Sequence, residues 1–206
     1  MRFRTSVFLA ALIAASLLAA PAMAERRAFA FDKAHSQINF IAEARIFSAH
    51  GFFGTFDGDI QINPQDLADS SVTITIETAS INTRVEQRDN HLRSADFFDA
   101  ANHPKITFVS RKVTKSGNDA ISIEGDMTIR GITKPVVIPL VVKFFEGGRG
   151  RFTGEFKINR KDFGVSYNNP ANPIDDMVTI QMDLNIRLPR PQQAPPAKQE
   201  QKPPQR

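Results

Sequence analysis

The sequence predicts an all-β domain: an antiparallel meander of eight strands, interrupted once by a short helical excursion. Three observations carry this. Apolar side chains recur at every second position through long runs, as in strands with one buried and one wet face. Short Gly- and Asn/Asp-bearing links join the later runs directly, which makes neighbours antiparallel. A single stretch, 83–103, breaks the period of two.

Residues 1–24 precede the domain. Arg2 and Arg4 form a basic head, Val7 to Ala20 is an uncharged apolar run, and Ala22-Met23-Ala24 is a small-x-small cleavage signal. This is the pattern of a secretory signal peptide cleaved after Ala24, which implies a protein exported from the cytoplasm. The run is short for a membrane-spanning helix, and no second one follows.

Strands are then expected at Gln37–Glu43, Thr55–Ile62, Val72–Glu77, Ile106–Val113, Ile121–Ile129, Val136–Phe145, Arg151–Ile158 and Val178–Leu188, with a short extra one at Ala28–Phe31. The last is the clearest. Val178, Ile180, Met182, Leu184, Ile186 and Leu188 alternate with Thr179, Gln181, Asp183, Asn185 and Arg187. Hairpin links are read at 115–119, at Arg130-Gly131 and at 146–150. Eight such strands either close into a barrel or stack as a sandwich. Closure removes exposed edges, and an eight-stranded barrel has room for side chains or one small ligand.

In the excursion, Thr83-x-x-Glu86 fits a capping box opening a helix, with Val85 and Leu92 on a shared face. Ser94 is placed to cap a second turn holding Phe97 and Phe98, and Pro104 ends it. Such an insertion covers a barrel end or packs beside it. After residue 188 the chain carries six prolines in residues 189–206 and no large apolar side chain. That segment is expected to be a solvated Pro/Gln-rich tail.

Charge excludes one function class. The chain's net +4 includes +2 from Arg2 and Arg4 and +3 from the tail, which leaves residues 25–188 at −1. The domain is not basic, so nucleic acid is not an expected partner. The sequence has no cysteine, which removes disulfides, thiol nucleophiles and thiolate metal sites. Its four histidines, His35, His50, His91 and His103, lack metal-ligand spacing, and no G-x-S-x-G elbow occurs. The Gly-rich stretch 147–150 joins two strands, so it lacks the strand-to-helix context of a phosphate loop. Asp175-Asp176 reads as turn chemistry. No catalytic group, metal or cofactor is expected.

The chain has seventeen phenylalanines, one tyrosine and no tryptophan. Phe40, Phe47, Phe52, Phe53, Phe56, Phe97, Phe98, Phe108 and Phe163 gather around the first strands, the excursion and their neighbours. Most are core filler, and the same residue type would line a cavity for an apolar chain.

Six stretches resemble the YceI-like family of polyisoprenoid-binding, lipocalin-like proteins: FDKAHSQINF (31–40), GTFDGDIQI (54–62), RDNHLRSADFFD (88–99), HPKITFVS (103–110), GDMTIRGITKPV (125–136) and INRKDFGV (158–165). The third and fifth are the specific ones. The resemblance implies an elongated eight-stranded antiparallel barrel whose lumen holds a polyisoprenoid, an isoprenoid quinone or another long-chain amphiphile. It implies a periplasmic carrier rather than an enzyme.

The ligand-binding residues expected on this basis are Phe40, Phe47, Phe52, Phe53, Phe56, His91, Leu92, Phe97, Phe98, Phe108 and Phe163. Arg88, Asp89, His91 and Arg93 are expected to brace the excursion on the barrel rim. Many family members carry a histidine where Ala44 stands; the nearby histidine of this chain is His50. Transient membrane contact and a homodimer are both compatible with the reading. Two other readings stay open: a stress-related interaction module with a packed core, and a periplasmic enzyme with a His-based metal site.

Overall fold

The computed structural model describes residues 25–189. The signal peptide and all of the tail but Pro189 lie outside the described residues. The strands are β1 (Arg27–Phe31), β2 (Gln37–Ala44), β3 (Ala49–Phe53), β4 (Phe56–Ile62), β5 (Ser71–Glu77), β6 (Ile81–Asn82), β7 (Lys105–Lys115), β8 (Ala120–Ile129), β9 (Ile132–Glu146), β10 (Arg149–Asn159) and β11 (Ile174–Arg187). One helix, α1 (Glu86–Arg93), lies between β6 and β7.

These eleven segments make eight staves. β1 and β2 both pair with β11, Phe31 opposite Ile186 and Gln37 opposite Asp183, so they are one stave broken at 32–36. β3 and β4 form the next, broken at 54–55, and β5 and β6 a third, broken by the tight turn Thr78–Ser80. The order then runs β7, β8, β9, β10, β11, and β11 returns to β1 to close an antiparallel barrel. The short strand at the N-terminal edge is therefore the closing stave.

The breaks are satisfied locally, as buried backbone groups require. At the first, the Ser36 hydroxyl reaches the carbonyl oxygens of Asp32 and Asn185 at 2.8 and 3.1 Å, and accepts from the Asn185 amide at 2.9 Å.

The hairpin links form as read. Arg130 and Gly131 have φ of 50° and 74°, and Gly147 and Gly148 have 57° and 74°. Two consecutive positive φ values make the turn whose twist matches that of the strands it joins. Inward positions of every stave supply one core, including Ile38, Phe40, Ile74, Ile106, Phe108, Ile123, Ile138, Leu140 and Leu184. Successive connections alternate between two ends. The upper end holds the β2–β3, α1, β8–β9 and β10–β11 links; the lower end holds β4–β5, β7–β8, β9–β10 and Arg27.

Candidate functional site

The core does not fill the barrel. A cavity of about 310 Å³ lies toward the upper end. Inward side chains of β2, β5, β7, β8, β10 and β11 wall it, among them Phe40, Ile76, Ile106, Met127, Phe156, Ile158 and Ile180. Among the described residues no aspartate or glutamate borders it; its polar neighbours are Arg88, His91, Thr107, Arg160, Tyr167, Asn169 and Asn172. The walls suit a hydrocarbon chain, and the few polar groups suit a small head.

The helical excursion covers this cavity with Leu92, Phe97 and Phe98. Its start differs from the sequence expectation. α1 begins at Glu86, with Val85 at the N-cap and no side-chain cap. Arg84, at φ 64°, turns the chain first. Thr83 does not cap the helix; its N–H and hydroxyl donate to the buried Asp89 carboxylate at 2.8 and 2.5 Å. Val85 is exposed and shares no buried face with Leu92.

Of the residues expected to brace the excursion, Arg88, Asp89 and Arg93 bond to the segment before α1, whereas His91 bonds to Asp96 within the excursion. Arg88 donates to the Thr83 hydroxyl at 2.7 Å and its carbonyl at 3.0 Å. Arg93 donates to the carbonyls of Ala79 and Ile81 at 2.8 and 2.9 Å. Arg93 thus ties α1 to the stave before it, and Arg88 ties it to the residue that follows that stave.

A second tie comes from across the barrel mouth. Arg130, in the β8–β9 turn, donates to the carbonyl oxygens of Ala95, Phe97 and Gly164 at 2.7, 2.9 and 2.8 Å. One guanidinium thus joins the cap to the β10–β11 crossover. The rings of His91, Phe97 and Tyr167 meet there, with centroids 4.8 to 4.9 Å apart. His91 also bonds Asp96 through Nε2 at 3.1 Å.

The crossover is organised by Arg160. This buried side chain donates to the carbonyls of Asp175, Val165, Tyr167 and Ile174 at 2.8 to 3.0 Å. Five fixed donors on a planar fork make arginine suited to collecting scattered carbonyls.

Phe40, Phe47, Phe53, His91, Leu92, Phe97, Phe98, Phe108 and Phe163 all border the cavity. Phe47 is 54% exposed and stands at its rim. Phe52 and Phe56 do not border it. Phe52 falls between the inward Gly51 and Phe53, and Phe56 packs edge-on against Phe31 at 5.4 Å. Ala44 is at the cavity wall, whereas His50 is not.

Sequence reasoning missed Tyr167, Arg130 and Arg160. Both arginines stand inside the motifs quoted for the family, but their acceptors lie up to 34 residues away for Arg130 Nη1 and 15 for Arg160. Nothing local signals those pairings.

The other histidines lie apart. His35 bonds Asp32 at 3.0 Å and His103 lies 4.0 Å from Asp99. Among the described residues no group of three or more His, Cys, Asp or Glu is placed to hold a metal ion.

Residues 29–186 match the YceI-like domain family. Protein YceI of Escherichia coli O17:K52:H18 is 35% identical over 173 residues, which cover 80% of this chain and 90% of that one. Among solved structures, BcnA of Burkholderia cenocepacia aligns with a TM-score of 0.70 at 26% identity, over 75% of this chain and 98% of that one. A polyisoprenoid binding domain from Saccharophagus degradans, at 17% identity and a TM-score of 0.66, shares the fold over 79% of this chain and 99% of its own.

Proposed function

The chain belongs to the YceI-like family, and from that membership we propose that it is a periplasmic carrier that encloses a polyisoprenoid or another long-chain amphiphile in its barrel lumen. The observation that carries this is the apolar cavity of about 310 Å³ under the α1 cap. A core evolved only for stability closes such a void, because empty apolar space forfeits packing contacts. The ligand class accords with that of the Saccharophagus relative.

The mechanism is removal of a chain from water. Each buried methylene contributes about 0.8 kcal/mol, so roughly fifteen carbons contribute on the order of 12 kcal/mol before the cost of association. Release into water is then slow, and the cap adds a barrier. The polar groups at the mouth accept a head rich in hydrogen-bond acceptors, since Arg88, Asn169 and Asn172 carry donors and no carboxylate opposes them. No bond is made or broken.

In this reading residues 1–24 are a leader removed after Ala24, 25–188 the carrier domain and 189–206 a Pro/Gln-rich tail. The interaction-module alternative requires a filled interior, which the cavity disfavours.

The test is native mass spectrometry of protein purified from the periplasm, followed by solvent extraction and lipid analysis. One stoichiometric long-chain species is expected. A ligand-free mass that also takes up no added isoprenoid would overturn the reading.

A further inference from the structure

The mouth of the cavity has two unlike sides. On one stands the link between β2 and β3, where Ile46 is 71% exposed and Phe47, beside it, 54%. Single apolar side chains in water are ordinary, but two together at the entrance to an apolar lumen are not. Phe47 belongs to both surfaces, since it borders the cavity and faces solvent. Backbone bonds hold the pair out instead of folding it over the opening. The Arg45 N–H donates to the Pro173 carbonyl at 3.0 Å, and the Ile46 N–H to Asn172 Oδ1 at 2.9 Å. Glu43, the carboxylate nearest along the chain, accepts from the Ser48 hydroxyl. The link is thereby tied to residues 168–173 of the β10–β11 crossover, Asn-Asn-Pro-Ala-Asn-Pro, which carry no charge. Asn169 and Asn172 border the cavity as well. This side of the mouth is thus apolar at its tip and uncharged behind it. The α1 side presents the exposed carboxylates of Glu86 and Asp96.

We propose that the uncharged side of the mouth docks on a lipid bilayer, with Ile46 and Phe47 inserted among the acyl chains at the base of the headgroups. The proposal rests on the carrier reading of the cavity and names the partner that gives up the chain and takes it back. A long chain that crosses water exposes its apolar length to it. A mouth seated in the bilayer lets the chain pass along Phe47 from one apolar medium to the other.

Charge sets the orientation. A bilayer accepts isoleucine and phenylalanine and rejects carboxylates, so the α1 side with Glu86 and Asp96 stays in water. Arg45, exposed just before the apolar pair, is a cation at the depth of the lipid phosphates.

The sequence has no tryptophan, so one introduced tryptophan reports its own surroundings. The experiment uses protein purified from the periplasm and delipidated, with vesicles of phosphatidylethanolamine and phosphatidylglycerol. The emission of Ile46→Trp is expected to shift to the blue on the vesicles and to be quenched by lipids brominated on the acyl chains. Val137→Trp, at an exposed apolar position on β9, is expected to do neither. Ile46 does not border the cavity, so Ile46→Asp is expected to hold geranylgeraniol as the wild type does when no vesicles are present. The same variant is expected to bind vesicles about tenfold more weakly in flotation and to deliver geranylgeraniol to them about tenfold more slowly. Wild-type delivery is expected to rise in proportion to vesicle concentration.

Delivery at a rate independent of vesicle concentration would overturn the proposal, because the chain would then cross water. Ile46→Trp emission that ignores the vesicles would overturn it as well. A blue shift without vesicles, accompanied by dimer mass, would make a second copy the occupant and overturn the bilayer assignment. Quenching of Ile46→Trp by brominated lipid in a protein that takes up no geranylgeraniol would remove the carrier reading and leave the docking surface standing.

Discussion

Replacing Arg130 by asparagine should unlatch the cap without harming the barrel. Asparagine tolerates the left-handed backbone that Arg130 adopts at φ 50°, so the β8–β9 turn is kept. What goes is the guanidinium and its bonds to the carbonyls of Ala95, Phe97 and Gly164. A hydrogen bond from a charged donor contributes about 1.5–3 kcal/mol when buried. Arg130 is only partly buried, and water can replace it on the freed carbonyls. About 1 kcal/mol per bond, or about 3 kcal/mol for the three, is the appropriate scale. Since 1.4 kcal/mol is a factor of ten, cap opening should become roughly a hundredfold more frequent.

Hydrogen exchange reads this directly. The amides of Phe97, Phe98 and Asp99 bond to Ser94 and Leu92 carbonyls within the cap, so they should exchange faster by about that factor. Transfer of bound isoprenoid to acceptor vesicles should accelerate with them. Arg130→Lys, a point charge without the fork, should recover only part of the effect. Wild-type exchange at 97–99 in a folded Arg130→Asn protein would refute the latch.

Other outcomes follow from the same geometry. The double variant Phe97→Asp/Phe98→Asp should copurify with no lipid while its circular dichroism keeps the barrel signature; full lipid retention in the folded variant would count against the cap. Gly125→Ala should cost roughly 1–3 kcal/mol by overpacking, because its Cβ meets the Phe108 ring and the Val109 carbonyl. An unchanged urea midpoint would show that the Phe108 ring yields to the added methyl. The Asp69 carboxyl is held down to about 2 from its ordinary 3.8 by Arg26 and then Asn63. A depressed carboxyl stabilises the fold above 3.8 and loses that contribution as pH falls through about 2. Wild-type stability should therefore drop more steeply across that interval than Asp69→Asn, and parallel urea midpoints would argue that the pair is inert.

Much of the barrel was legible. β10 and β11 announce themselves by alternation, over the eight residues 151–158 and the eleven residues 178–188, and Arg130-Gly131 and the 146–150 link declare their turns by residue type. Breaks inside staves were harder to see. Gln37–Ala44 reads as a separate strand from Arg27–Phe31, and only the shared partner β11 shows them to be one. The capping box misled because two rival assignments for Thr83 look alike in one dimension. Asp89, six residues on, won its hydroxyl.

The same division holds for the site. Local chemistry in the sequence determined the period of two, the apolar inward face, the exclusion of thiol chemistry, and the aromatic residues that cap the lumen. These depend on neighbours a few positions apart. Only the tertiary structure decided that Phe52 turns away from the cavity, that Arg130 and Arg160 gather carbonyls from distant segments, and that the Phe108 ring lies over Gly125. Those facts arise when closing the barrel brings separate staves to one height. The relative height of two staves is a property of register, which no single strand carries.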